Sequence, residues 1–110
     1  MQHLLFTQKV RPETRKEYIE EHKNAPKQLL EVLKESGFQR EIIWMDGDRI
    51  YIYVMSEDVQ AAVDSQKKTD IFQDWLEKME PLLEQVQDYS EEGKISGLEK
   101  VFDLEMQLNE

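Results

Sequence analysis

Cysteine is missing from all 110 residues. That excludes a disulfide framework, thiol catalysis and cysteine-based metal sites, and it fits a reducing compartment. Histidine is nearly missing too. With only His3 and His22, a multi-histidine zinc site cannot be built within one chain. Four glycines and three prolines are too few for collagenous or low-complexity classes. No apolar run approaches the ~18 residues that a membrane span needs. The opening MQHLLFTQKV has no basic n-region and no long apolar stretch, so it does not read as a signal peptide. These absences set the expectation of a soluble, cytoplasmic protein. Basic residues are outnumbered, 14 against 24 acidic, for a net charge of −10. A surface this acidic repels phosphate backbones and anionic lipid, so nucleic acid and membranes are set aside as partners. There is also no Gly-rich phosphate loop, no G-x-S-x-G elbow and no H-E-x-x-H. Redox, zinc and phosphoryl-transfer chemistry have no visible support. Proton transfer on a neutral ligand remains, or binding without catalysis.

The length predicts a single domain over 1–110. Residues 3–10 alternate as a strand, with Leu4, Phe6, Gln8 and Val10 on one parity. Residues 13–35 read as helical, with Gly37 as a stop and a break at Asn24-Ala25-Pro26. Tyr18, His22, Leu29 and Leu33 share one arc of this helical stretch. Residues 38–46 and 49–55 are β-branched and aromatic, with Asp46-Gly47 between them as a hairpin signal. Ser56 is placed to cap a short helix bearing Val59, Ala62 and Val63. Asp70, with Gln73 three residues on, is placed to cap a second. Ile71, Trp75 and Met79 would form its buried face, flanked by Phe72 and Leu76, with Pro81 ending it. Residues 85–97 read as an irregular acidic loop, and 98–106 alternate well enough for a last strand.

The resulting order, β-α-β-β-α-β, predicts an α+β, ferredoxin-like fold. Strand 49–55 is apolar on both parities, with Tyr51, Tyr53 and Met55 against Ile50, Ile52 and Val54. A sheet wet on one face would alternate apolar with polar. The second face is therefore expected to be covered, and a homodimer would cover it. Tyrosines also tolerate water at a sheet surface.

His22 is the leading candidate for chemistry. It follows Tyr18 by four residues, so both side chains point the same way. An imidazole gives and takes protons near neutral pH, and a phenol beside it can bind a hydroxyl. The same placement fits a core histidine held by a backbone carbonyl. Trp75 could wall a sugar or simply fill the core. Trp44, beside the hairpin, suits a dimer contact or an edge. Glu41 stands in an apolar strand, so it lies either at an open edge or in a polar pocket. Asp46 is explained by its turn.

Five stretches together resemble the L-rhamnose mutarotases, small dimeric sugar epimerases. They are KEYIEEH (16–22), LLEVLKESG (29–37), IIWMD (42–46), TDIFQDW (69–75) and LEKVFDL (98–104). The resemblance implies a ferredoxin-like dimeric α/β barrel and an isomerase that interconverts the α and β anomers of an aldose by ring opening. It implies no cofactor and no metal, and a monosaccharide as the substrate. It assigns His22 as the proton donor, with Tyr18 and Trp75 in the substrate site. Two positions depart from the family pattern. A second tryptophan is replaced by Leu76, and a substrate-contacting tyrosine by Glu41. Those departures bear on the choice of sugar more than on the reaction. The same scaffold also serves cofactor-free monooxygenases and haem-handling proteins. A non-catalytic ligand-binding module is the other alternative.

Overall fold

A computed structural model of the chain describes residues 1–87, 89–90 and 92–109. Strand β1 spans Gln2–Val10. Pro12, which needs no backbone donor at a helix start, opens a 3-10 turn over Pro12–Thr14. Helix α1 follows over Arg15–Lys23 and α2 over Lys27–Glu35. The break between them falls at Asn24–Pro26, where proline cannot continue the hydrogen-bond ladder. Gly37, at φ +123°, carries the chain out of α2. Strands β2 (Arg40–Asp46) and β3 (Arg49–Ser56) form the expected hairpin, with Gly47 at φ +58° in its turn. Helices α3 (Val59–Lys67) and α4 (Asp70–Met79) come next. A second 3-10 turn at Glu80–Leu82 contains Pro81 and leads into β4 (Leu83–Gln85). A short helix, α5, covers Leu104–Leu108.

The sheet order is β2-β3-β1-β4, and all three neighbouring pairs are antiparallel. That is the ferredoxin-like arrangement. Residue parity decides which side chains meet the helices. Phe6, Gln8, Val10, Ile50, Ile52 and Val54 are buried on the inner face. Tyr18, Leu29, Val59, Ala62, Val63, Phe72 and Met79 meet them from the helices. Val10, Ile50 and Val54 expose no surface at all. Each such side chain contributes about 1.5–3 kcal/mol by leaving water. The β2–β3 register pairs Glu41 with Val54, Ile43 with Ile52 and Met45 with Ile50. Glu41 therefore projects from the inner face, with Ile43 and Met45. Ile42 and Trp44 lie on the outer face opposite Tyr53 and Tyr51.

Three local expectations are corrected. The fourth strand is Leu83–Gln85, and 98–106 is not a strand. Pro81 ends the helical run, and Leu82 and Leu83 bury immediately beyond it, so β4 takes the edge of β1 at Lys9 and Val10. The later segment reaches that edge only where the Leu98 N–H donates to the Leu5 carbonyl at 2.7 Å. Its apolar residues stay outside, with Val101 84% and Leu108 75% exposed. Asp58, not Ser56, caps α3, accepting from the Ala61 N–H at 3.0 Å. Ser56 is the buried last residue of β3, and its Oγ accepts from the Asp58 N–H. Thr69, not Asp70, caps α4 through the Phe72 N–H. The acidic Asp70 sits in the first turn, where the helix dipole favours it. The buried face of α4 also differs from the expected one. Phe72 and Met79 are buried, while Ile71, Trp75 and Leu76 are half-buried.

Candidate active site

Between the helices and the inner sheet face lies a cavity of about 680 Å³. That volume lies within the range of small-molecule sites. Its lining includes Tyr18, His22, Glu41, Trp75 and Leu76, so the structure brings all five sequence candidates to one place. Trp44 does not join them. It lies on the opposite sheet face and is 55% exposed.

Helix α1 places Tyr18 and His22 one turn apart on its cavity side. The rings lie 4.1 Å apart between centroids. His22 Nδ1 is 2.8 Å from the Tyr18 carbonyl oxygen. A carbonyl can only accept, so Nδ1 carries the hydrogen and Nε2 is left as the proton-exchanging atom. His22 is half-buried: one nitrogen is tied to backbone, and the ring still lines the cavity. Trp75 stands edge-on to His22 at 5.1 Å and 80°. The imidazole is held between a phenol and an indole. The mutual position of α1 and α4 is reinforced at the rim by Lys78 Nζ on Glu21 at 2.7 Å. Thr14 Oγ1 donates to the Leu82 carbonyl at 2.8 Å and anchors the start of α1 against the turn beyond α4.

The electrostatics follow from burial. Desolvation lowers the proton affinity of His22, partly offset by its bond to the Tyr18 carbonyl and by the Glu21 charge. Desolvation, with the nearby Glu41 charge, pushes the Tyr18 phenol up, so Tyr18 stays protonated as a donor. Glu41 is accessible to solvent within this lining, yet protein crowds round its carboxyl and raises it from 4.5 to about 7. Water in the cavity tempers that rise. Among the described residues Glu41 has no hydrogen-bond or ion-pair partner. The described lining also carries Glu77 and Glu80 and no lysine or arginine.

Tyr89 in the lining was not anticipated from the sequence. Tyr89 sits in the irregular segment after β4, edge-on to Phe72 at 5.7 Å. Burial and the charge of Glu41 push its phenol up. The segment is fastened over the cavity by side chains of α3. Gln60 Oε1 accepts from the Ile95 N–H at 2.8 Å, and Lys67 Nζ donates to the Ser90 and Gly93 carbonyls at 2.9 and 3.0 Å. A lone tyrosine in an acidic stretch was the only signal in the sequence. Among the described residues, no cluster of three His, Asp or Glu side chains could hold a metal ion.

Comparisons with known proteins bear on the family and the fold. A family model described as L-rhamnose mutarotase matches residues 3–104. The crystal structure of an L-rhamnose mutarotase from Formosa agariphila superposes with a TM-score of 0.74 at 20% identity, covering 94% of this chain and 98% of that one. Tetracenomycin F2 cyclase from Streptomyces glaucescens, a type-II polyketide cyclase, superposes at 0.63 with 18% identity, covering 94% and 96%. At these identities the two structures speak for the fold alone. A comparison with curated protein sequences returns no match.

Proposed function

The chain belongs to the L-rhamnose mutarotase family, isomerases that interconvert sugar anomers, and from that premise we propose how its cavity carries the reaction. The observation that carries the reading is the posture of His22. Its Nδ1–H is committed to the Tyr18 carbonyl, which leaves Nε2 to exchange a proton inside the cavity. Protonated at Nε2, His22 gives that proton to the ring oxygen of a bound aldose. The C1–O5 bond breaks, the anomeric hydroxyl passes its proton to a second acceptor in the cavity, and C1 becomes an aldehyde. Rotation about C1–C2 and closure on the other face return the proton to His22. Tyr18, kept neutral by burial, donates to a sugar hydroxyl. Trp75 and Leu76 supply the apolar wall against the C–H face of the ring. Such acid–base assistance contributes roughly 10²–10⁴-fold. Unassisted mutarotation in water is already measurable, so a catalyst of this size is sufficient.

L-Rhamnose is the first sugar to test, because the family takes its name from it. Saturation-transfer proton NMR reads exchange between the α and β C1 protons of L-rhamnose, L-fucose and other aldoses. Protein-dependent transfer is expected, and the rates rank the sugars. No transfer with any aldose overturns this reading.

A homodimer through the outer sheet face is part of the proposal. Ile42, Trp44, Tyr51, Tyr53 and Met55 line that face, and Trp44 is more than half exposed in the single chain. Burying such a surface against a second copy removes it from water. Sedimentation should give twice the chain mass of 13.2 kDa, and Trp44→Glu should shift it to the monomer. A sedimenting monomer in the unsubstituted protein would contradict this. A cytoplasmic setting fits the absence of cysteine. Among the described residues, no helix is long and apolar enough to cross a membrane.

A further inference from the structure

We infer that Glu41 is a second proton-transfer group, taking the proton of the anomeric hydroxyl while His22 delivers one to the ring oxygen. This rests on the mutarotase reading above and deepens it. Mutarotation needs two proton movements at once, one off O1 and one onto O5. A single imidazole provides one of them at a time. Water could supply the other, but a carboxylate already in the lining is a far stronger base than water.

Three observations single out Glu41. The β2–β3 register turns it to the inner sheet face. It lines the same cavity, and its charge reaches Tyr18, whose ring lies against His22. Its carboxyl has no hydrogen-bond or ion-pair partner among the described residues. Its side chain is open to solvent while it lines the cavity, so no protein group competes for it. An unpaired carboxylate in a cavity is available to a ligand.

The cycle balances within the pair. His22 starts protonated at Nε2 and Glu41 starts as carboxylate. Ring opening moves one proton from His22 to O5 and one from O1 to Glu41, as C1–O5 breaks and C1=O1 forms. The open aldehyde then sits beside a neutral imidazole and a neutral carboxylic acid. Closure on the other face reverses both transfers and restores the charges. Burial favours this step, because it weakens the hold of His22 on its proton and strengthens that of Glu41. The other titratable groups of the described lining are Tyr18 and His22 from α1, Tyr89 from the segment after β4, and Glu77 and Glu80 from α4 and the turn beyond it. The two phenols stay protonated through neutral pH. The productive form holds one proton on the His22–Glu41 pair, so kcat/KM should fall on both the acid and the alkaline side.

The test is anomer exchange by wild type and Glu41→Gln across pH. Glutamine keeps the shape and can still bind a hydroxyl, but it cannot take a proton. The expected result is a kcat lower by roughly 10²-fold, a KM within about threefold, and loss of the acid-side fall, leaving only the alkaline fall of His22. A Glu41→Gln kcat within about threefold of wild type, with both falls retained, overturns the inference. So does an effect confined to KM, which would make Glu41 a hydroxyl contact only. Should Glu41→Gln fail to fold, Glu41→Ala with added formate reads the same point. Restored exchange supports the inference, and a loss that formate does not repair overturns it. Wild type inactive on every aldose would instead overturn the mutarotase reading itself, so the two failures are distinguishable.

Discussion

Replacing Glu41 by glutamine should stabilise the protein at neutral pH and leave it unchanged in acid. The fold raises this carboxyl from 4.5 to about 7, by burial. A raised value means that the native state still holds a proton that the unfolded chain has released. Unfolded chains then bind fewer protons than native ones, and stability falls as pH climbs from 4.5 to about 7. Below that window both states are protonated, and above it both are ionised, so the curve is flat on either side. At 1.36 kcal/mol per pH unit the full gap would be about 3 kcal/mol for a group cut off from water. The side chain is accessible to water, however, and screening reduces the penalty to about 1–2 kcal/mol. Urea unfolding of wild type and Glu41→Gln at several pH values measures it. The difference between the two curves isolates Glu41, since every other carboxylate and His22 titrate in both proteins. The difference should be near zero at about pH 4 and level off above about pH 8, with the variant more stable. A difference that does not change with pH, or a wild type that gains stability as pH rises through the window, would refute the placement of an unpaired carboxyl in this cavity.

Two further expectations follow from packing and charge. Gly97→Val should cost about 1–3 kcal/mol, because a Cβ at this position would lie 2.6 Å from the Leu5 carbonyl oxygen and would collide with the Leu4 side chain; thermal melting reads the loss, and an unchanged melting temperature would show that the 97–98 segment does not lie on β1. Sugars carrying a phosphate or a carboxylate should not inhibit the exchange of a neutral sugar, since the described lining carries Glu41, Glu77 and Glu80 with no lysine or arginine. Competition by a sugar phosphate at the same concentration as the neutral sugar would contradict that reading of the cavity.

Much of this molecule was legible in local pattern. The shared parity of Phe6, Gln8 and Val10 put all three on one face of β1, the buried one, because strand geometry alternates faces without regard to context. Pro26 marked the α1–α2 break, and Gly47 the hairpin, because both residues act through their own backbone. The four-residue spacing of Tyr18 and His22 was enough to put both on one side of α1. What was not legible depended on competition between segments. Residues 98–106 alternate as a strand would, yet the edge of β1 near Val10 is taken by Leu83–Gln85, a stretch too short to announce itself. The caps at Asp58 and Thr69 were misplaced by one or two residues, since each helix start offers neighbouring Ser, Thr or Asp side chains. Glu41 was ambiguous for a different reason. Its face depends on the register with β3, and the register is set by long-range pairing with Val54. Tyr89 comes to the cavity with long-range contacts, from Phe72 to its ring and from Gln60 and Lys67 to its segment, that no periodicity encodes.

The most direct test of the account is the enzyme-dependent rate of α–β exchange on L-rhamnose for wild type and His22→Ala, by saturation-transfer NMR at equal protein concentration. The account predicts clear exchange above the buffer rate for wild type and a loss of roughly 10²–10⁴-fold in the variant, with folding retained by circular dichroism. Equal exchange by the two proteins would contradict it, because the proton would then be moving through something other than His22.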